Sequence, residues 1–237
     1  AEGKELMEAI LRQGLAALGL PQDAVPQLIA FSDRLLETNK VMNLTAITEP
    51  EEVARLHFLD SAALLTLADF RGKTVVDVGT GAGFPGMPLR LIEPSLRLTL
   101  LDSLGKRITF LQGCCDALGL TDVRCVHARA EEFAVAQREN YDIAVSRAVA
   151  NLRLLSELCL PLVKVGGQFL AMKSAGSDAE IDEAGKAIAL LGGKLSAVRD
   201  YPIPGTEVTH RLVVIEKVSP TPKRYPRPFA KIKKAPL

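Results

Sequence analysis

Apolar positions in the first 70 residues recur at helical spacing. Leu6, Ile10, Leu11, Leu15 and Leu18 fall on one face, and Gly19-Leu20-Pro21 closes the run. A second helix is predicted over about 23–38, with Leu28, Phe31, Leu35 and Leu36 on one side. The stretch Asn39-Lys40-Val41-Met42-Asn43-Leu44-Thr45 reads as a loop. Thr48 and Glu51 have the spacing of a capping box. The helix they would open carries Val53, Leu56, Leu59, Ala63, Leu64 and Leu67.

After Gly72 the period changes. Short β-branched runs at 74–79, 96–102, 123–129, 141–146, 168–173, 195–202 and 210–218 predict seven strands. Helical stretches at 86–93, 106–118, 130–137, 151–163 and 178–191 separate them. Strands alternating with helices imply a parallel sheet covered on both faces. Only a short Ile203-Pro204-Gly205-Thr206 turn and its neighbours join the last two strands, so the last strand should run antiparallel. The expected organisation is a helical extension at 1–70, an α/β domain at 71–218 and a Pro-rich tail at 219–237. The tail is expected to be extended or disordered, since it carries five prolines.

Apolar residues make up 48% and charged residues 24%, which excludes global disorder. No apolar stretch approaches the ~18–20 residues of a membrane helix, and the N-terminus lacks a signal-peptide pattern. A cytoplasmic protein without a membrane partner is expected, with a monomer as the default. Net charge is +1, but seven bases lie from Lys217 onward with no acid among them. The other 22 bases face 28 acids, so a basic tail follows an acidic body. That asymmetry points to a polyanionic partner, or to a solvated tail. Cys114, Cys115, Cys125 and Cys159 form no C-x-x-C pair and His is scarce, so neither a metal site nor a disulfide framework is expected.

The chemistry concentrates in Val75-Val76-Asp77-Val78-Gly79-Thr80-Gly81-Ala82-Gly83-Phe84-Pro85-Gly86. A strand enters a glycine turn that opens a helix, and free N–H groups there suit a bound nucleotide. Gly81-x-Gly83-x-x-Gly86, followed by Asp102, formally fits a dinucleotide fingerprint. It fits a nucleoside sulfonium as well. Asp77 would repel a pyrophosphate, Pro85 removes an N–H that a pyrophosphate would use, and no room remains for a dehydrogenase's second domain. These features favour S-adenosylmethionine.

The strand-Asp-x-Gly-x-Gly-x-Gly pattern resembles the Rossmann-like class I S-adenosylmethionine-dependent methyltransferases. The closer resemblance is to the RsmG (GidB) family of bacterial small-subunit rRNA methyltransferases. It is carried by NKVMNLTAI, HFLDSAALL, VVDVGTGAGFPGMPLR, LLDSLGKRITFL, RAEEF, YDIAVSRAVA and RLVVIEKV, from about Asn39 to Val218. The resemblance implies methylation of guanine N7 in 16S rRNA, free or in a precursor of the small ribosomal subunit. It also implies cofactor contacts from Gly79 and Phe84 in the turn (with Gly81 and Gly83 between them), and from Asp102 and Ser103 toward the ribose. Ala130 and Glu131 would border the adenine, and Arg147 would sit at the mouth of the site as the candidate for a catalytic role.

Guanine N7 already carries a free lone pair, so no general base is required. The segment Ser146-Arg147-Ala148 agrees, having neither an amino-methylating Pro-Pro motif nor a Pro-Cys nucleophile. RNA contacts are expected from Lys106, Arg107, Arg129, Lys173 and Arg211 around the rim, and from Lys223, Arg224 and Arg227 in the tail. Asn39, Lys40 and Asn43 could add contacts, or could simply serve the turn. Phe84 could stack on a splayed guanine or pack against the cofactor. On this division of roles, deleting residues after Ser219 weakens RNA affinity and spares cofactor binding. The alternatives are a small-molecule methyltransferase of the same fold and a non-catalytic nucleotide-binding module.

Overall fold

A computed structural model describes residues 2–147 and 150–237. The order is α1 (Glu2–Ala17), α2 (Val25–Asn39), α3 (Pro50–Glu52), a π-helical segment (Val53–Leu59) and α4 (Asp60–Ala63). The sheet region follows with β1 (Thr74–Val78), α5 (Gly86–Ile92), β2 (Arg97–Asp102), α6 (Gly105–Ala117), β3 (Val123–His127), α7 (Ala130–Ala136) and β4 (Tyr141–Ser146). It continues with α8 (Leu152–Cys159), β5 (Val163–Ser174), α9 (Asp178–Glu183), α10 (Gly185–Leu190), β6 (Gly193–Pro202) and β7 (Thr209–Lys217), and α11 (Phe229–Lys234) lies in the tail.

The strand order is β3-β2-β1-β4-β5-β7-β6. Neighbours from β3 to β5 pair in parallel, whereas β7 is antiparallel to both β5 and β6. The expected class I methyltransferase sheet with its antiparallel last strand is therefore present. Side chains alternate between its faces. Val75, Leu98, Leu100, Ile143 and Val145 join a core with α1, α2, α5, α6 and the segment around the π turn. Val76, Val78, Leu101, Ala144 and Val213 join a second core under α7–α10. The strand order reverses between β1 and β4, where α/β sheets open a crevice at their carboxyl ends.

Several expectations need correction. Leu6 is exposed and Met7 takes its place in the core beside Ile10, Leu11 and Leu15. Pro50, with its φ preset for a first helical position, starts α3 and makes Glu49 the N-cap, so no Thr48–Glu51 capping box forms. The regular helix expected after it widens into the π turn, which buries His57 and Phe58 beside Leu59. The helix expected to reach residue 163 stops at Cys159, before a 3₁₀ turn containing Pro161. The Gly166-Gly167 stretch that follows belongs to β5. The single helix expected over 178–191 breaks at Ala184–Gly185, where glycine is a poor helix former.

The largest difference is the tail, which is docked. Thr221, Tyr225 and Ile232 are buried. Arg138 donates to the carbonyls of Thr221, Lys223 and Tyr225, and Arg153 donates to those of Pro236 and Leu237 at 3.1 Å each. The Glu157 carboxylate, 1% exposed, accepts the Arg227 backbone N–H at 2.7 Å and its guanidinium at 2.8 Å. Proline removes donors from this backbone, and arginines of the body satisfy its remaining acceptors.

That pairing makes two tail bases behave differently. Arg227→Ala leaves a buried carboxylate without its cation and should cost about 3 kcal/mol, read as a fall in the urea midpoint. Lys223→Ala, at an exposed position, should stay within about 0.5 kcal/mol of the parent. Equal effects would contradict the docked arrangement.

Candidate cofactor and acceptor sites

The glycine turn is held from beneath by two carboxylates. Asp77, fully buried at the end of β1, accepts the Thr80 hydroxyl at 2.7 Å and the Gly86 N–H at 2.8 Å through Oδ2. Its Oδ1 is buried and, among the described residues, has no partner. Asp102, at the end of β2, accepts the Gly81 N–H at 2.8 Å and the Leu104 N–H at 2.9 Å. Burial pushes the Asp77 pKa up to about 7 against the pull of its hydrogen bonds.

The four glycines do different work. Gly79 and Gly81 have φ of +69° and +60°, and a Cβ at either would meet nothing within 4 Å. Their conformation needs glycine, and the space before them is open, as a bound ligand requires. Gly83 and Gly86 are packing positions. A Cβ on Gly83 would lie 2.8 Å from Leu111 and 2.9 Å from Met87, and one on Gly86 would lie 2.8 Å from Asp77 Oδ2.

In front of the turn lies a cavity of about 180 Å³ lined by Gly79, Asp102, Ser103, Ala130 and Glu131, with Arg129, Leu158 and Phe229 among its other walls. Five residues expected to contact the cofactor therefore share one space. Asp102 already serves two backbone N–H groups, but a carboxylate has about four acceptor sites, which leaves capacity for a ribose. Gly81 borders this region through its bond to Asp102.

Phe84 and Arg147 lie elsewhere. Phe84 is 2% exposed and stacks on His57 with ring centroids 4.3 Å apart, while Phe31 and Phe58 pack within 6 Å. It is a core residue that locks the turn to the helical extension, and it has no free face for a guanine. Arg147 reaches across to donate to the Leu56 carbonyl at 3.3 Å and to His57 Nδ1 at 2.9 Å, with its guanidinium 5.1 Å from the Phe84 ring centre. Because arginine only donates, His57 Nδ1 accepts and Nε2–H donates to Thr45 Oγ1 at 2.9 Å. Burial and Arg147 drive the His57 pKa down to about 3, so the ring is neutral.

Arg147 also lines a second cavity, of about 430 Å³, at the carboxyl ends of β4 and β5. Its walls include Asp60, Lys173, Glu180 and His210. Asp60 accepts the Tyr201 hydroxyl at 2.7 Å and His210 Nδ1 at 3.1 Å, and this contact raises the His210 pKa. His57, Asp60, Tyr201 and His210 carry no site role in the sequence reading. A His and an Asp inside the apolar run of residues 53–64 were the available signal. Ala148 and Val149, which follow Arg147 in the chain, lie outside the described residues.

The expected RNA contacts divide into two groups. Lys40, Asn43, Lys106, Arg129, Lys223 and Arg224 are exposed. Lys173, Arg211 and Arg227 are committed within the protein. Lys173 bonds the Ala150 carbonyl at 2.6 Å and Glu180 at 2.7 Å. Arg211 bonds Asp200 at 2.6 Å and Asp178 at 2.7 Å. Charge signals in a sequence do not reveal such partners. Asn39 is a turn residue, its Oδ1 accepting the Leu44 and Thr45 N–H groups. Arg107 lies 3.5 Å from Asp102 Oδ2 and is half-buried.

His57 and Asp77 give opposite pH dependences. Between about pH 6.5 and 3 the unfolded chain protonates His57 and the fold does not, so stability falls as pH falls. Between about pH 7 and 4 the fold holds a proton on Asp77 that the unfolded chain releases, so stability rises as pH falls. Asp77→Asn removes only the second contribution. Its urea midpoint should drop more steeply from pH 7 to 4 than the parent's, and an equal or shallower slope would refute the assignment.

The family model described as rRNA small subunit methyltransferase G matches residues 24–205. The ribosomal RNA small subunit methyltransferase G of Alkaliphilus metalliredigens (strain QYMF) is 49% identical over 223 residues, covering 92% of this chain and 93% of its own length. The protein of that name from Clostridium perfringens (strain 13 / Type A) is 45% identical over 219 residues, 91% of this chain and 92% of its own. Among solved structures, TrmN from Thermus thermophilus aligns at 25% identity and a TM-score of 0.53 over 67% of this chain, which spans 48% of that protein. M. jannaschii TYW2 in complex with AdoMet shares the fold at 14% identity and a TM-score of 0.54, over 67% of this chain and 75% of its own. With most of its length matched at these levels, the chain belongs to the rRNA small subunit methyltransferase G family.

Proposed function

We propose that this protein transfers a methyl group from S-adenosylmethionine to N7 of a guanine in 16S rRNA. The observation that carries the reading is the open space before Gly79 and Gly81, bordered by Asp102, Ser103, Ala130 and Glu131 at the reversal of strand order. The carboxylates of Asp102 and Glu131 are acceptors for the hydroxyl and amino groups of a nucleoside, and the side-chain-free glycines let it lie against the turn. Asp102 would hold the ribose, and Ala130 and Glu131 would border the purine.

When bound, S-adenosylmethionine supplies an electrophilic methyl carbon. The protein's task is to align that carbon with the guanine nitrogen, and positioning of this kind supplies most of the rate. The cavity bordered by Arg147, Asp60 and His210 is the acceptor side of this reading. Arg147 keeps one side of that cavity rigid, because it bridges the π turn to the end of β4. Exposed Lys106, Lys223 and Arg224 would meet phosphates, with affinity that falls as salt rises.

Labelled donor, incubated with deproteinised 16S rRNA, small subunits and free guanosine, should mark N7-methylguanine in the first or second sample, as read by nucleoside mass spectrometry. Label on guanosine alone would refute the rRNA substrate. Gly81→Val places a β-branched residue at φ +60° in the open cradle. It should reduce affinity for S-adenosylhomocysteine at least a hundredfold in calorimetry while cooperative unfolding persists.

A further inference from the structure

The C-terminal tail, by sequence an arm for RNA, touches the candidate cofactor cavity. Phe229 begins α11 and is one of the side chains lining the space between Asp102 and Glu131. It is half-buried, and the Arg129 guanidinium lies 4.4 Å from its ring centre. Arg129 in turn bonds Glu131 Oε1 at 2.7 Å, on the purine side of the cavity. The ring is therefore tied to Arg129, the N-cap of α7, and through it to Glu131 in that helix's first turn.

The tail is also firmly held on both sides of Phe229. Arg227 is clamped by buried Glu157 two residues before it, and Ile232 is fully buried three residues after it. A free arm has no such anchors. Lys231, Lys233 and Lys234 on the same short helix remain exposed, so the helix meets solvent with cations and the cavity with an aromatic ring.

We propose that Phe229 is a cofactor-binding residue, a wall contributed by the tail that covers the adenine of S-adenosylmethionine. An aromatic ring offers a flat apolar face to a purine, and its removal costs such a contact in affinity. The cavity of about 180 Å³ is smaller than the ~300–1,000 Å³ of ordinary ligand clefts. Seating the adenine therefore needs the Phe229 side chain to turn aside within its anchored segment. This inference rests on the cofactor reading above and assigns the tail a part in it.

Calorimetry with S-adenosylhomocysteine on the full chain tests it. Phe229→Ala should weaken binding about tenfold or more, with Phe229→Tyr close to the parent. Urea midpoints of both variants separate loss of the contact from loss of the fold. Trypsin provides a second readout, because S-adenosylhomocysteine should slow cleavage after Lys223, Arg224 and Lys231 in the parent and less so in Phe229→Ala. A parent that binds while Phe229→Ala binds equally well overturns this inference alone, and tighter binding by Phe229→Ala would make the ring a plug and overturn it too. A parent that does not bind S-adenosylhomocysteine overturns the cofactor reading, and the inference falls with it.

Discussion

Asp77 and Asp102, at the ends of neighbouring parallel strands, each take a backbone N–H of the glycine turn, and the turn depends on them. The amides of Gly79, Thr80, Gly83 and Phe84 find backbone carbonyls, and two others of this glycine turn need side chains. Gly81 finds Asp102 and Gly86 finds Asp77, while Thr80 adds its hydroxyl to the same Asp77 oxygen. The amides so used face the sheet, and the outer side of Gly79 and Gly81 is left open. Buried carboxylates are costly, and burial moves the Asp77 proton affinity toward neutrality. The arrangement holds because neighbouring N–H and O–H donors oppose that cost.

A second constraint joins the helical extension to the same turn. Phe84 leaves the turn to stack on His57, and Arg147 leaves β4 to bond that ring and the Leu56 carbonyl. Three segments distant in sequence therefore meet at one neutral imidazole. The π turn and the start of α4 together bury His57, Phe58, Leu59 and Asp60 in succession. The extension thereby supplies Asp60 to the second cavity as well as a hydrophobic cap to the sheet.

Much of this was legible in the sequence, for physical reasons that can be stated. The limits of β4 follow from an apolar run bounded by turn residues, and the antiparallel β7 follows from a connection too short for a helix. The cavity residues Gly79, Asp102, Ser103, Ala130 and Glu131 share a position at strand ends, which a parallel topology brings together. Other features were hidden because they depend on partners far along the chain. Lys173 and Arg211 read as free cations until Glu180, Asp200 and Asp178 are placed beside them. Phe84 reads as a ligand contact until α2 and the π turn close over it. The tail composition reads as disorder because Arg138, Arg153 and Glu157, which hold it, lie more than 60 residues upstream.

The protonation states around the two cavities bear on the chemistry. A general base needs a lone pair free to take a proton from the substrate. Both His57 nitrogens are engaged, one by the Arg147 guanidinium and one by Thr45. His210 is held toward its charged form by Asp60, and Asp60 also takes the Tyr201 proton donor. Tyr201 is itself kept protonated by burial and by that carboxylate. His57 and Tyr201 offer no free basic atom to a substrate, whereas both donors on Asp60 go to one oxygen, Oδ1. An acceptor nitrogen that enters with its lone pair already exposed asks only for placement, which is what such committed side chains provide.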